Sequence, residues 1–265
     1  MNTKFPSEQL LVIGDKKEPK LYSCSECRSG AGLDFEFSMA FQPIVDTIEK
    51  KVYSQEALVR GPKGESAQSV LSQVNSKNRY QFDQACRVKG IALASRLNIQ
   101  SFLNINFLPN AVYEPATCIR TTLNASKEYN FPLNRLVFEM TEGEEIKNHN
   151  HIINIFTEYK NYGFLTAIDD FGAGYSGLNL LAKFQPDIIK LDKELIRDID
   201  KNTVAQKIVK AVTGICHDLK IKVIAEGIET PEEYKVLSGM GIRYFQGFLF
   251  AKPMFEGLSD IHYPS

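Results

Sequence analysis

The sequence predicts an α/β barrel, and three observations carry that prediction. Short apolar, β-favouring runs alternate with longer amphipathic stretches from Phe35 onward. Eight such runs can be drawn, and most of them end in a polar or acidic residue. The 265 residues suit one barrel domain of about 250 residues. An open doubly wound sheet is the other architecture this alternation permits.

The expected strands are Ser38–Ile44, Val52–Val59, Phe102–Phe107, Leu136–Met140, Leu165–Ile168, Ile188–Leu191, Val223–Ala225 and Tyr244–Phe245. Only a short turn separates the first two, so they form a hairpin and break strict parallel order. Helices are expected over Tyr80–Leu97, Ala116–Tyr129, Ile152–Tyr162, Val204–Leu219 and Pro231–Gly239. In the first, Phe82, Ala85, Val88, Ala92 and Leu93 recur at helical spacing. The last begins with Thr230 as N-cap, Pro231 at the first helical position, and Glu232 and Glu233 in the first turn.

Residues 1–35 read differently. Asp15-Lys16-Lys17-Glu18-Pro19-Lys20 is a charged breaker run and Ser29-Gly30-Ala31-Gly32 a small-residue hinge. This part is an extension or linker, too short to bury a core alone, and residues 36–265 form the barrel. No sensor domain fits in the extension.

Composition narrows the function classes. With 43% hydrophobic and 24% charged residues the chain is ordinary globular protein. A net charge of −1 excludes a global field that attracts a nucleic acid polymer or an anionic membrane. No apolar run reaches the ~18 residues of a membrane span, and no secretory signal follows Met1, so no membrane insertion and a cytoplasmic location are expected. The five cysteines are odd in number and scattered, which is not a disulfide framework; Cys24 and Cys27 form a lone C-x-x-C, read as two surface thiols.

The strand ends carry the chemistry. In a barrel the C-terminal ends of the strands meet at one face, where active sites are built. Here they bring together Glu56, Asn106, Glu139, Asp169, Asp170, Lys190, Glu226 and Gln246. One lysine cannot neutralise five buried carboxylates, whereas divalent cations can. Oxygen ligands without His or Cys point to Mg²⁺ or Mn²⁺ rather than zinc. At a strand end the chain can turn and aim both Asp169 and Asp170 inward, letting one carboxylate bridge two ions. Such a pair of ions suits in-line displacement at phosphorus. Lys190 would orient the attacking water or offset charge on the leaving oxygen. His149, His151, His217 and His262 read as surface or structural residues. Gly172-Ala173-Gly174 with Gly177 is no dinucleotide fingerprint, because paired acids precede it; its glycines fit a mobile loop over the site.

These residues also resemble a known family. Glu56-Ala57-Leu58 with Arg60 is similar to the signature of the EAL domain, the cyclic di-GMP phosphodiesterase family. Asn106, Phe138-Glu139-Met140-Thr141-Glu142, Asp169-Asp170-Phe171-Gly172, Lys190-Leu191-Asp192, Ala225-Glu226-Gly227-Ile228-Glu229-Thr230 and Phe245-Gln246-Gly247 extend the resemblance from Phe41 to Pro253. It implies a TIM-like (β/α)8 barrel with one antiparallel strand, two Mg²⁺ or Mn²⁺ ions per active site, and hydrolysis of cyclic di-GMP, a bacterial second messenger, to linear pGpG. It implies Glu56, Asn106, Glu139 and Asp169 as ligands of one ion, and Asp169, Asp170 and Glu226 as ligands of the other. Lys190 resembles the residue that positions or deprotonates the water. Glu142 resembles the glutamate that shapes the loop after Asp170; Glu229 and Gln246 resemble supporting active-site residues. Gln42, Leu58 and Arg60 resemble substrate contacts, Arg60 placed for a phosphate. The family pattern also implies a homodimer through the region after Asp170. Gly61-Pro62 departs from the aromatic residue and longer insert of many members.

Two further readings stand beside this one. A non-catalytic cyclic di-GMP receptor or regulatory interaction protein would use the same fold but lose metal ligands, and every one is present here. A Schiff-base aldolase built on Lys190 needs an apolar pocket that lowers the lysine pKa, and nearby carboxylates raise it.

Overall fold

The computed structural model describes residues 10–11, 21–22, 33–112, 114–141, 149–173 and 177–264. Glu142, Cys24 and Cys27 lie outside them. In the extension, Leu10–Leu11 (β1) pairs antiparallel with Leu21–Tyr22 (β2).

The barrel is built from Ser38–Asp46 (β3), Lys51–Arg60 (β4), Phe102–Asn106 (β5), Leu136–Thr141 (β6), Leu165–Phe171 (β7), Ile188–Leu191 (β8), Lys222–Ala225 (β9) and Tyr244–Phe245 (β10). Neighbours pair in chain order, and β10 returns to β3, so the eight strands close on themselves. From β4 to β10 every pairing is parallel, while β3 runs antiparallel to both β4 and β10. The short turn after Asp46 dictates this: a hairpin between β3 and β4 cannot be parallel. Met254–Phe255 (β11) adds antiparallel to the free part of β3, outside the barrel.

All eight expected strands are present. β3 is buried along its whole length, as a strand covered on both faces must be. The helices differ in detail. Arg79–Arg96, His149–Asn161, Thr203–Asp218 and Pro231–Gly239 form as expected within a few residues, but the stretch 116–129 splits at Ile119 into Pro115–Cys118 and Arg120–Glu128. Short helices at Ala67–Leu71, Gly177–Lys183 and Lys193–Ile196 are additional; four to seven residues are too few to show a periodicity in sequence. At Pro231–Gly239 the capping box closes in both directions: Glu233 N donates to Thr230 Oγ1 at 3.2 Å, and Thr230 N donates to Glu233 Oε2 at 3.1 Å.

The barrel interior has two distinct ends. Its lower end is an apolar plug of Ile44, Tyr53, Val137, Ala167, Ile188 and Ile224. Its upper end, at the C-terminal ends of β4–β10, is polar. Among the described residues no helix is long and apolar enough to cross a membrane, and Cys86, Cys118 and Cys216 are buried and form no disulfide.

Candidate active site

Side chains alternate along a strand, so residues two apart share a face. Asn104 and Asn106 on β5, Val137 and Glu139 on β6, and Ile188 and Lys190 on β8 therefore put an apolar or amide group below and a site residue above. The register then sets the neighbours: Asn106 pairs with Glu139 across β5–β6, and Gln42 with Glu56 across β3–β4.

The paired acids are resolved by a β-bulge. Between β7 and β8, Ile168 pairs with Ile189 and Phe171 with Leu191. Asp169 and Asp170 thus stand opposite the single residue Lys190, which breaks the alternation that would send one acid outward. Asp170 takes up the extra length with a left-handed backbone, φ 53°. That conformation costs on the order of 1 kcal/mol, and aspartate tolerates it better than most residues. Asp170 N then donates to Asp169 Oδ1 at 3.0 Å.

Lys190 is 1% exposed and its ammonium sits at the centre. Its Nζ lies 3.3 Å from Glu56 Oε2, 3.0 Å from Glu139 Oε2, 3.1 Å from Asp169 Oδ1 and 2.5 Å from Glu226 Oε1. The contact to Glu226 Oε1 is the shortest of the four. Amides hold the other carboxylates. Gln246 Nε2 donates to Glu56 Oε2 at 2.7 Å and to Gln42 Oε1 at 3.3 Å; Asn106 Nδ2 donates to Glu56 Oε1 at 2.9 Å. Asn104 Nδ2 donates to Glu139 Oε1 at 2.5 Å. Asn104 was not among the expected site residues, although its position two before Asn106 in Phe102-Leu103-Asn104-Ile105-Asn106 is the signal that places it on the same face.

A glycine fixes Gln246. A Cβ on Gly247 would lie 2.1 Å from Ile228 O and 2.3 Å from Ile228 N. Only glycine lets the chain after β10 press against the loop after Glu226, where Ile228 N donates to Gln246 O at 3.1 Å.

The electrostatics follow from burial. Burial raises the Glu56 carboxyl, but Lys190 and the amide donors Gln246 and Asn106 outweigh it and hold the group below its ordinary value. Glu139 is pushed up to about 8 by burial, against the pull of Lys190. Burial likewise raises Asp169 and, well above the carboxylate range, Glu226. Asp170 rises to about 6 through burial and the neighbouring Asp169. Burial lowers Lys190, but Asp169, Glu139, Glu226 and Glu56 together drive it well above its ordinary value.

The donor set fits divalent cations. Glu56, Glu139 and Asp169 form one group whose carboxylate oxygens lie within 4.8 Å of one another, and Asp169, Asp170 and Glu226 form a second. Asp169 belongs to both. Fully ionised, these five acids exceed the Lys190 ammonium by four charges, which is the charge of two divalent ions. All donors are hard oxygens, which suits Mg²⁺, Mn²⁺ or Ca²⁺.

Beside the acids, a cavity of about 380 Å³ is lined by Gln42, Glu56, Leu58, Glu226, Glu229 and Gln246, among others. Leu58 and Gln42 therefore border it directly. Arg60, at the end of β4, is half-buried outside that lining, with Nη1 donating to Val59 O at 2.7 Å. Glu229 is the most exposed of the expected site residues that are described, its carboxylate 4.0 Å from Arg197 Nη2.

A family model described as "EAL domain" matches residues 31–253. The blue light- and temperature-regulated antirepressor BluF of Escherichia coli K12 is 32% identical over 263 residues, which is 98% of this chain and 64% of that protein. The cyclic di-GMP phosphodiesterase PdeR of the same organism is 37% identical over 158 residues, 60% of this chain and 23% of PdeR. The chain thus spans less than two thirds of the length of these relatives. Among solved structures, a standalone versatile EAL protein of Vibrio cholerae O395 in its c-di-GMP-bound form is 54% identical with a TM-score of 0.85, covering 87% of this chain and 97% of that one. Klebsiella pneumoniae BlrP1, in a manganese/cy-diGMP complex, is 39% identical with a TM-score of 0.83, covering 86% of this chain and 59% of BlrP1.

Proposed function

This chain belongs to the EAL domain family, and on that premise we propose that it is a metal-dependent phosphodiesterase that hydrolyses cyclic di-GMP to linear pGpG. The observation that carries the proposal is the convergence of Glu56, Glu139, Asp169, Asp170 and Glu226 into two oxygen clusters sharing Asp169, with Lys190 between them. The complexes of BlrP1 with manganese and calcium alongside cyclic di-GMP support the same assignment.

Glu56, Asn106, Glu139 and Asp169 would hold one Mg²⁺ or Mn²⁺ ion, and Asp169, Asp170 and Glu226 the other. Bound there, the ions supply Lewis acidity and a water of lowered pKa. The chain's residues do the rest. Water oxygen attacks phosphorus and gives up a proton, the bond from phosphorus to the 3′-oxygen breaks, and that oxygen takes up a proton to leave as a hydroxyl, giving a 5′-phosphate with no net change in protons beyond those of the water added. Lys190, kept charged by its carboxylate neighbours, orients the water by donation and offsets the negative charge that develops at phosphorus. Gln246 and Asn104 hold Glu56 and Glu139 in their ligating rotamers. Gln42, Leu58 and Arg60 would contact the nucleotide, Arg60 turning to a phosphate; Glu229 supports the rim, and Glu142 would shape the loop after Asp170.

A homodimer in the cytoplasm completes the proposal. Val204, Ile208 and Ile215 are exposed and recur on one face of Thr203–Asp218, Leu219 continues that face at its C-cap, and Leu178 is exposed on Gly177–Lys183, the first helix after Asp170. An apolar stripe of this kind fits a second copy of the chain.

Incubation of the chain with cyclic di-GMP, followed by chromatography, tests the activity. Linear pGpG is expected with Mg²⁺ or Mn²⁺ and none with EDTA. Tight binding without turnover under any ion would favour the receptor reading, which the name of the relative BluF, an antirepressor, keeps in view.

A further inference from the structure

Behind the metal-facing side of β5 and β6 lies a second polar cluster that the proposed chemistry does not use. Asp83 and Arg87 on Arg79–Arg96, and Tyr159 on His149–Asn161, are all at most 2% exposed. Arg87 Nη2 meets Asp83 Oδ2 at 2.8 Å as an ion pair, and Nη1 donates to Tyr159 Oη at 2.8 Å. Among the described residues Arg87 Nε has no hydrogen-bond partner. A buried ion pair is weak as a stabiliser even when fully satisfied, and hydrophobic replacements of similar volume often match or exceed it. An incompletely satisfied one calls for a reason other than stability.

The contacts supply that reason. Asp83 Oδ1 accepts from Leu108 N at 2.9 Å, two residues after Asn106. The intervening Phe107 donates its N–H to Glu139 O at 3.0 Å. Phe107 and Phe138 directly follow Asn106 and directly precede Glu139, so alternation turns both rings outward where the two site residues turn inward. The Arg87 guanidinium lies 5.6 Å from the Phe107 ring centre and 5.0 Å from that of Phe138. One helix thus grips the chain just past Asn106 and presses on the rings beside both site residues.

We propose that Asp83 is a positioning residue for the metal site: its bond to the Leu108 N–H fixes the end of β5, and with it Asn106 and Glu139, while Arg87 balances its buried charge. This rests on reading Asn106 and Glu139 as metal ligands.

Two double variants test it. Asp83→Asn/Arg87→Met removes the charges but keeps an oxygen for Leu108 N–H. Asp83→Leu/Arg87→Met removes the charges and the acceptor. Melting in EDTA and Mn²⁺ binding by titration calorimetry are measured for each. Both are expected to melt near the parent. Asp83→Leu/Arg87→Met is expected to bind Mn²⁺ about 10- to 100-fold more weakly, the usual effect of losing an outer support of a ligand. Asp83→Asn/Arg87→Met is expected to stay close to the parent. Equal affinities in all three proteins, or equal losses in both folded variants, would overturn the tether. If the leucine variant does not fold, Asp83→Ala/Arg87→Met takes its place under the same criteria. Absence of Mn²⁺ binding by the parent would overturn the metal reading and this inference together, whereas parent binding with insensitive variants overturns the inference alone.

Discussion

The two ends of the barrel are built from the same strands and obey opposite rules. At the lower end Ile44, Val137, Ala167, Ile188 and Ile224 fill the interior with matched apolar volume. A few residues further along, the same strands lead to Glu56, Glu139, Asp169, Lys190 and Glu226, four acids around one buried cation. Burial lifts three of those acids above their ordinary values, so the upper end holds like charges at a cost that the lower end and the helical shell must offset. One end confers stability and the other is organised for charge. The bulge that aims Asp169 and Asp170 together belongs to the second.

Substitutions should therefore separate the two ends. The largest effect is expected from Glu56→Ala, which removes a carboxylate of the first cluster: cyclic di-GMP turnover should fall about a thousandfold or more, equivalent to about 4 kcal/mol, with circular dichroism unchanged. Unchanged turnover would take Glu56 out of the site. Lys190→Ala should lower kcat about 100-fold while altering Mn²⁺ affinity much less; abolished Mn²⁺ binding would contradict the role assigned to it. At the other end, Ile188→Ala should cost about 3 kcal/mol in denaturant unfolding, through lost burial and a cavity, with kcat near the parent's wherever the variant is folded. A collapse of kcat in the folded variant would mean the ends are not separable.

The smallest effect is a pH dependence of the metal-free protein. Glu139, whose ordinary value is 4.5, is raised to about 8 in the fold, so the folded state binds its proton more tightly than the unfolded chain does. The stability this contributes is complete below about pH 4.5 and lost as pH rises through about 8. Glu226 is raised and adds the same sign. Glu56 is lowered and contributes the opposite sign, but only below its ordinary 4.5. In EDTA the melting temperature should thus decline from pH 5 to pH 8, and Glu139→Gln should flatten the decline. A parent and a Glu139→Gln variant with the same slope would show that the upper end carries no such stored charge.

Much of this arrangement was legible in the chain. The eight strands stand out because each is a short β-favouring run bounded by turns, and the hairpin of β3 and β4 follows from the few residues between Asp46 and Lys51. Thr230-Pro231-Glu232-Glu233 announces its helix in four residues. The convergence of Glu56, Glu139, Asp169, Lys190 and Glu226 could be read from their places at strand ends. Other features were not legible because they depend on partners distant in sequence. Asn104 becomes a site residue only when β6 brings Glu139 beside it. Ile119 breaks the stretch 116–129 without any Gly or Pro to mark it. The Asp83–Arg87 pair, four residues apart, reads as an ordinary surface i,i+4 pair until the helix is laid against β5.

By itself the sequence determined the periodicities, and through them the strand count, the alternation of strand and helix, and which residue types end each strand. Those depend on local backbone preference and side-chain spacing, which neighbours along the chain suffice to define. Closure of β10 onto β3, the two-against-one register at Asp169, Asp170 and Lys190, and the distances that make two oxygen clusters share one aspartate were decided only in three dimensions. The reason is that strand register and charge separation are set between residues as far as 204 positions apart, where the balance of burial and pairing exists only once the barrel has closed.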